Sequence, residues 1–213
     1  MTIHTDDLIN SIIDSLDRIS LIKSEEIPNI DLYMDQVTTF MDSHLHSTTR
    51  NPGEDKILTK TMINNYTKND LLPPPVKKKY TKEHILLLVL IYYFKGILSF
   101  SDIQTILKPI TEKYFESDAS FNIESVYREV LHFEEAQKEA IKQDIKEKFE
   151  KAEELFGDAP KEDEEFFKMF AFVSLLGFDV YVKKLLIEKL IDGYRADLEH
   201  EKEKEAPKSK KEK

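Results

Sequence analysis

Residues 85–94, Ile-Leu-Leu-Leu-Val-Leu-Ile-Tyr-Tyr-Phe, are ten consecutive apolar positions between Thr81, a suitable helix cap, and the Lys95-Gly96 pair that ends the run. A bilayer-spanning helix needs about 20 apolar residues, so this run is too short to cross a membrane. A helix apolar on every side must instead be covered on nearly every side by other parts of the same chain. The run therefore predicts a central helix, with Tyr92, Tyr93 and Phe94 as core residues, and requires surrounding helices to enclose it.

The flanking sequence supplies candidates. Thr5 caps a predicted helix whose first turn carries Asp6 and Asp7 and whose apolar face is Leu8, Ile12, Leu16 and Ile19. Pro28 interrupts that pattern, and a second helix over 31–45 presents Leu32, Val37, Phe40, Met41 and Leu45. Residues 46–54 read as a loop, and 59–69 as a short helix with Ile63 and Tyr66 pointing one way. Pro73, Pro74 and Pro75 forbid further helix and predict an extended 76–80. A short helix over 101–107 should stop at Pro109. A long charged helix over 122–156 would bury Val126, Val130, Phe133, Ile141, Ile145, Phe149 and Ala152. The apolar stretch 166–191 carries Lys168, Asp179, Lys183, Lys184 and Glu188, and Gly177 divides it into an expected pair of packed helices rather than a membrane span. Residues 206–213 read as a solvated, disordered tail. The expected class is all-α.

Charge is unevenly placed. The chain sums to -10, yet residues 50–95 hold nine Lys and Arg against four Asp and Glu, a net of +5. A local basic stripe on an acidic body suits a small phosphate-contacting patch. The sequence contains no cysteine, which excludes disulfides and thiolate metal sites. The first residues have no basic segment ahead of an apolar run, so no secretory signal is expected and the cytoplasm is the expected location. His44 and His46 lack the partners of a metal motif, and none of the five glycines falls in a nucleotide-binding loop. Neither an enzymatic activity nor a cofactor or metal is expected.

The run from Met62, MINNYTKNDLLPPPVKKKYTKEHILLL, resembles the signature of MerR-like regulators, in which a recognition helix leads through Leu-Leu-Pro-Pro into a basic wing and a further helix. Gly96 and Ser99–Ile103 resemble that fold's turn into its next helix. Residues from about 27 to 110, including IPNIDLYMDQVTTFM and LLPPPVKKKYTKEHI, resemble more closely the bacterial family called domain of unknown function 1836. The resemblance implies a winged helix-turn-helix over 27–110, preceded by an amphipathic helix in 1–26 and followed by a helical dimerisation or effector region over 111–205. By position, Ile63 matches the buried leucine of MerR-like proteins, Tyr66 their tyrosine and Lys78 the wing arginine. Asn64 stands where arginine is usual, and Asp70 where glycine is usual.

The residues themselves bear on the same reading. A helix entering the major groove must offer short polar side chains around an apolar anchor, as Thr59, Lys60, Thr61, Asn64, Asn65 and Lys68 do around Ile63. Asparagine can read adenine through two hydrogen bonds, while lysine and threonine suit phosphate or guanine. Lys77, Lys78 and Lys79, following three stiff prolines, would be the wing cations. A run of three lysines is by itself more often plain solvated surface. Tyr66 and Tyr80 read either as contacts or as edges of the core. Two functions are expected from these features. One is a transcriptional regulator that binds double-stranded DNA, paired as a homodimer through 122–156. The other is a protein-interaction adaptor or anti-regulator on the same fold, with a protein partner along 122–200.

Overall fold

The computed structural model describes residues 5–16, 22–51 and 54–205, which form seven α-helices and two short strands. The elements are α1 (Thr5–Leu16), β1 (Leu32–Tyr33), α2 (Met34–Leu45), α3 (Lys60–Lys68), β2 (Lys79–Tyr80), α4 (Lys82–Phe94), α5 (Phe100–Tyr114), α6 (Ile123–Glu153) and α7 (Glu164–Glu205). Single 3-10 turns lie at Ser24–Glu26 and His46–Thr48. The strands pair antiparallel, Leu32 with Tyr80 and Tyr33 with Lys79. No described helix is long and apolar enough to cross a membrane.

Helix α4 is the axis of the molecule. Every residue from His84 to Ile91 is buried, so all of its faces are covered. Val37, Met41 and Leu45 of α2, Ile63 and Tyr66 of α3, Tyr80 of β2, Ile103 and Leu107 of α5 and Ile123, Tyr127 and Leu131 of α6 share its core. Tyr92, Tyr93 and Phe94 are partly buried against the same cluster.

Several sequence expectations change. In α1 the buried residues are Ile9 and Ile13, while Ile12 faces solvent at 45% exposure; Ile19 lies outside the described residues. Helix α5 continues through Pro109 to Tyr114 instead of stopping before it, because neighbouring hydrogen bonds carry the ladder past the one missing donor. Helix α6 is capped by Asn122, whose side chain accepts from the Ser125 amide at 3.1 Å. It buries Ile123, Tyr127, Leu131 and Ala152, whereas Phe133 and Ile141 are exposed. The stretch 166–191 belongs to one continuous helix of 42 residues, about 63 Å long, and not to a helical pair. Gly177 does not break it: one glycine weakens a helix by ~1 kcal/mol but keeps its N–H. The expected tail 206–213 falls outside the described residues.

The segment before β1 is fastened to α6 a hundred residues later. Tyr127 donates from its buried hydroxyl to the Ile22 carbonyl at 2.5 Å. Burial pushes the Tyr127 hydroxyl far above the usual tyrosine range, so it acts only as a neutral donor. Glu124 accepts from Ser24 at 2.7 Å and Lys82 at 3.1 Å, and pairs with Arg128. Burial raises this carboxyl, but the bonds from Ser24 and Lys82 and the charges of Lys82 and Arg128 outweigh it and hold the pKa below its ordinary value. Replacing Tyr127 by Phe would leave the Ile22 carbonyl unpaired at unchanged shape. We expect a loss of about 1–3 kcal/mol in urea unfolding.

Candidate nucleic-acid interface

Helix α3 is held by its ends and one face, which leaves the other face to solvent. Thr59 caps it, its hydroxyl accepting from the Met62 amide at 3.1 Å. Ile63 is fully buried. At the C-terminus Asp70 takes a left-handed backbone with φ 55°, the conformation that a glycine would supply there. The Leu71 amide reaches the Tyr66 carbonyl at 2.9 Å and the Asp70 amide the Thr67 carbonyl at 3.4 Å, so the helix closes in a Schellman motif despite the aspartate. Gln104 of α5 donates to the Asn69 carbonyl at 2.8 Å and ties this end to the body.

The residues expected at the site divide into two groups. Thr61, Asn64, Asn65 and Lys68 are exposed along α3, with Thr59 half-buried at its start. Asn65 uses its side-chain oxygen to accept from Asn69 at 3.0 Å. Lys60 is exposed but ion-paired with Asp35 of α2. Tyr66 and Tyr80, in contrast, are 7% and 3% exposed and belong to the core. They anchor α3 and β2 from behind and present no contact surface, since burial has already satisfied their rings.

The turn after the prolines is where the backbone departs most from expectation. Residues 76–80 are not uniformly extended. The Lys79 amide reaches the Val76 carbonyl at 2.9 Å and the Val76 amide the Lys79 carbonyl at 3.1 Å, which closes a two-residue hairpin. Lys77 and Lys78 at its tip have φ of 51° and 66°. Two successive left-handed residues define a type I′ turn, which matches the twist of paired strands but normally recruits Asn-Gly. Lysine at either position costs about 1 kcal/mol or more relative to glycine. Both lysines are exposed, and neither has an ion pair among the described residues. Lys79 turns back, its ammonium 5.4 Å from the centre of the exposed Tyr33 ring. Tyr33, beside the hairpin through β1, is a contact candidate that sequence reasoning missed. Tyr33 itself pairs with Lys79 across the two strands, a long-range pairing that no local pattern announces.

Of the other basic residues in 50–95, Lys82 is consumed by Glu124 and Lys95 by the Ile57 carbonyl at 2.8 Å. Burial lowers the Lys95 pKa. A shallow cleft of about 390 Å³ beside the start of α3 is lined by Thr38, Thr39, Asp42, Lys56, Thr59 and Lys60. Among the described residues no group of acidic and histidine side chains is placed to hold a metal ion.

Beneath the hairpin lies His84, fully buried at the start of α4. Its Nδ1 accepts from the Thr81 amide at 3.0 Å, which assigns the proton to Nε2. Nε2 sits beside the Pro73 and Pro74 carbonyls but outside hydrogen-bonding geometry, and the rings of Tyr80 and Phe115 pack edge-on. Desolvation lowers the His84 pKa against the opposing pull of those carbonyls and of Asp31.

A family model described as Domain of unknown function (DUF1836) matches residues 22–130, and the chain belongs to that family. The matched stretch begins at the carbonyl that Tyr127 holds and ends one turn past Tyr127, so it coincides with the body closed by that bond. No curated protein and no solved structure matches the chain.

Two outcomes follow from this geometry. Lys78→Gly should raise stability by ~1 kcal/mol, because it relieves a left-handed lysine and removes no packed side chain; thermal or urea unfolding measures it. His84, neutral when folded, contributes stability that is complete above the unfolded pKa near 6.5 and is lost as pH falls below it. Unfolding free energy should therefore drop as pH falls below about 6.5, by up to ~1.4 kcal/mol per pH unit, and His84→Leu should flatten that slope.

Proposed function

We propose that this chain is a DNA-binding transcriptional regulator of the MerR-like winged helix-turn-helix type, acting in the cytoplasm. In this reading α2 and α3 are the helix pair, α3 lies in the major groove, and the Val76–Lys79 hairpin is the wing. The element order supports it: a strand, two helices, a hairpin that pairs with that strand, and two further helices. The observation that carries it is the pair Lys77 and Lys78, kept exposed and without an ion pair among the described residues in a backbone conformation that lysine disfavours. Strain retained at a surface tip motivates a functional role for those two side chains. Thr61, Asn64 and Lys68 would face the bases and nearby phosphates, and Lys77, Lys78 and Lys79 the adjoining backbone.

One observation favours an adaptor or anti-regulator on the same fold. Asp35 neutralises Lys60 at the leading end of α3, and residues 46–59 join α2 to α3 in place of a tight turn. A salt titration of binding to mixed genomic duplex fragments separates the two. The regulator predicts affinity that falls steeply with salt, and Lys77→Ala/Lys78→Ala/Lys79→Ala should shrink the log–log slope by up to about 3. Undetectable binding at low salt, or binding indifferent to the triple change, leaves the adaptor.

A further inference from the structure

Helix α7 carries more exposed apolar surface than any other described part of the chain. Phe166, Val173, Val180, Ile187 and Tyr194 recur every seven residues, and Met169, Leu176 and Leu190 occupy the position three further on. These are the a and d positions of a heptad sustained for four repeats, which marks a helix seam made for another helix. Most of the seam is uncovered among the described residues: Phe166 is 57% exposed, Val173 59%, Val180 64% and Leu190 66%, while Leu176 is half-buried. Helix α6 lies on a different face, that of Ala171, Phe172 and Asp179, where Phe149 meets Phe172 edge-on and Lys148 reaches Asp179 at 3.0 Å. Farther along, Ile191 enters the core and Arg195 binds Asp102 of α5 at 2.9 Å. The helix is thus fixed to the body by flanking residues, with Ile191 one turn from both Ile187 and Tyr194, while most of the seam stays exposed.

We infer that the seam of α7 is covered by α7 of a second copy of this chain, the two helices running antiparallel. The area argues for a macromolecular partner. At about 150–200 Å² per fully exposed side chain, the seam and its neighbours Phe170 and Leu186 present roughly 700–900 Å², near the ~800 Å² per partner of a stable interface and above the largest patch of a typical monomer. Another exposed row, Phe178, Tyr181 and Leu185, lasts only two turns before Ser174 on one side and Glu188 and Asp192 on the other. Lys183 decides the direction. It is the one charged residue within the seam, and in-register parallel helices would press the two Lys183 ammonium groups together. Antiparallel pairing sets each Lys183 stem against Val180 of the second copy, with that copy's Asp179 alongside, while Leu176 meets Ile187 and Val173 meets Leu190. This pairing does not depend on DNA binding. It places the copy-to-copy contact on α7 rather than on the 122–156 helix, which packs against α1, α4 and α7 and leaves only isolated apolar residues such as Phe133 and Ile141 exposed.

The test is sedimentation of the full-length chain at micromolar concentrations. The wild type should be a dimer, Val173→Glu/Ile187→Glu should be monomeric with unchanged helical circular dichroism and a dimer Kd raised more than about a hundred-fold, and Phe178→Glu/Tyr181→Glu should stay dimeric. A monomeric wild type, or a dimer that survives the seam change, overturns the inference. So does co-flotation of a monomeric wild type with anionic lipid vesicles, which would make a membrane surface the occupant. Because the sequence has no cysteine, a second measurement holds even if the charged variant misfolds. Leu176→Cys chains mixed with Ile187→Cys chains should form a mixed disulfide on oxidation, whereas linkage of Leu176→Cys to itself overturns the antiparallel arrangement.

Discussion

Everything in the body of this protein depends on covering α4. A helix with apolar side chains on every side leaves no face for water, and each uncovered large residue would forfeit about 1.5–3 kcal/mol of burial. Coverage therefore has to come from sequence-distant elements at once: α2 and α3 before it, α5 and α6 after it. That requirement explains why the first turns of α6 belong to the same unit as residue 22. The Tyr127 hydroxyl and the Glu124 carboxylate fasten the leading segment over the remaining side, and without them that edge of the core would open to solvent.

The candidate interface is a by-product of the same packing. Ile63, Tyr66 and Tyr80 are drawn inward to cover α4, and the period of the helix then sends Thr61, Asn64 and Lys68 outward. The hairpin is likewise set from below, by the buried His84 and the proline carbonyls beside it. A rigid support of this kind can hold two lysines in a left-handed turn that an isolated peptide would abandon. The charge of the basic block is smaller at the surface than in the sequence, because Lys60, Lys82 and Lys95 are engaged by Asp35, Glu124 and the Ile57 carbonyl.

Spacing located α2, α3, α4 and α6 and the cap Thr81, since caps and helical period are local properties. It misjudged Pro109 and Gly177 as stops, because each removes only a local increment of stability that packing and adjacent hydrogen bonds replace. It also assigned α6 the wrong inward face over Phe133 and Ile141. Which side of an amphipathic helix is buried depends on where its neighbours stand, and a helix with two apolar stripes does not declare that choice.

The sequence alone determined that α4 must be enclosed, that a basic segment stands out from an acidic chain, and that α3 has one apolar and one polar face. These follow from residue type and period. Only the tertiary structure decided which lysines are free and which are paired, that Lys77 and Lys78 sit at the tip of a left-handed turn, that Tyr66 and Tyr80 face inward, and that α7 is one long helix with an open seam. Those features arise from contacts between residues tens of positions apart, and no local pattern encodes which distant side chain will arrive to satisfy them.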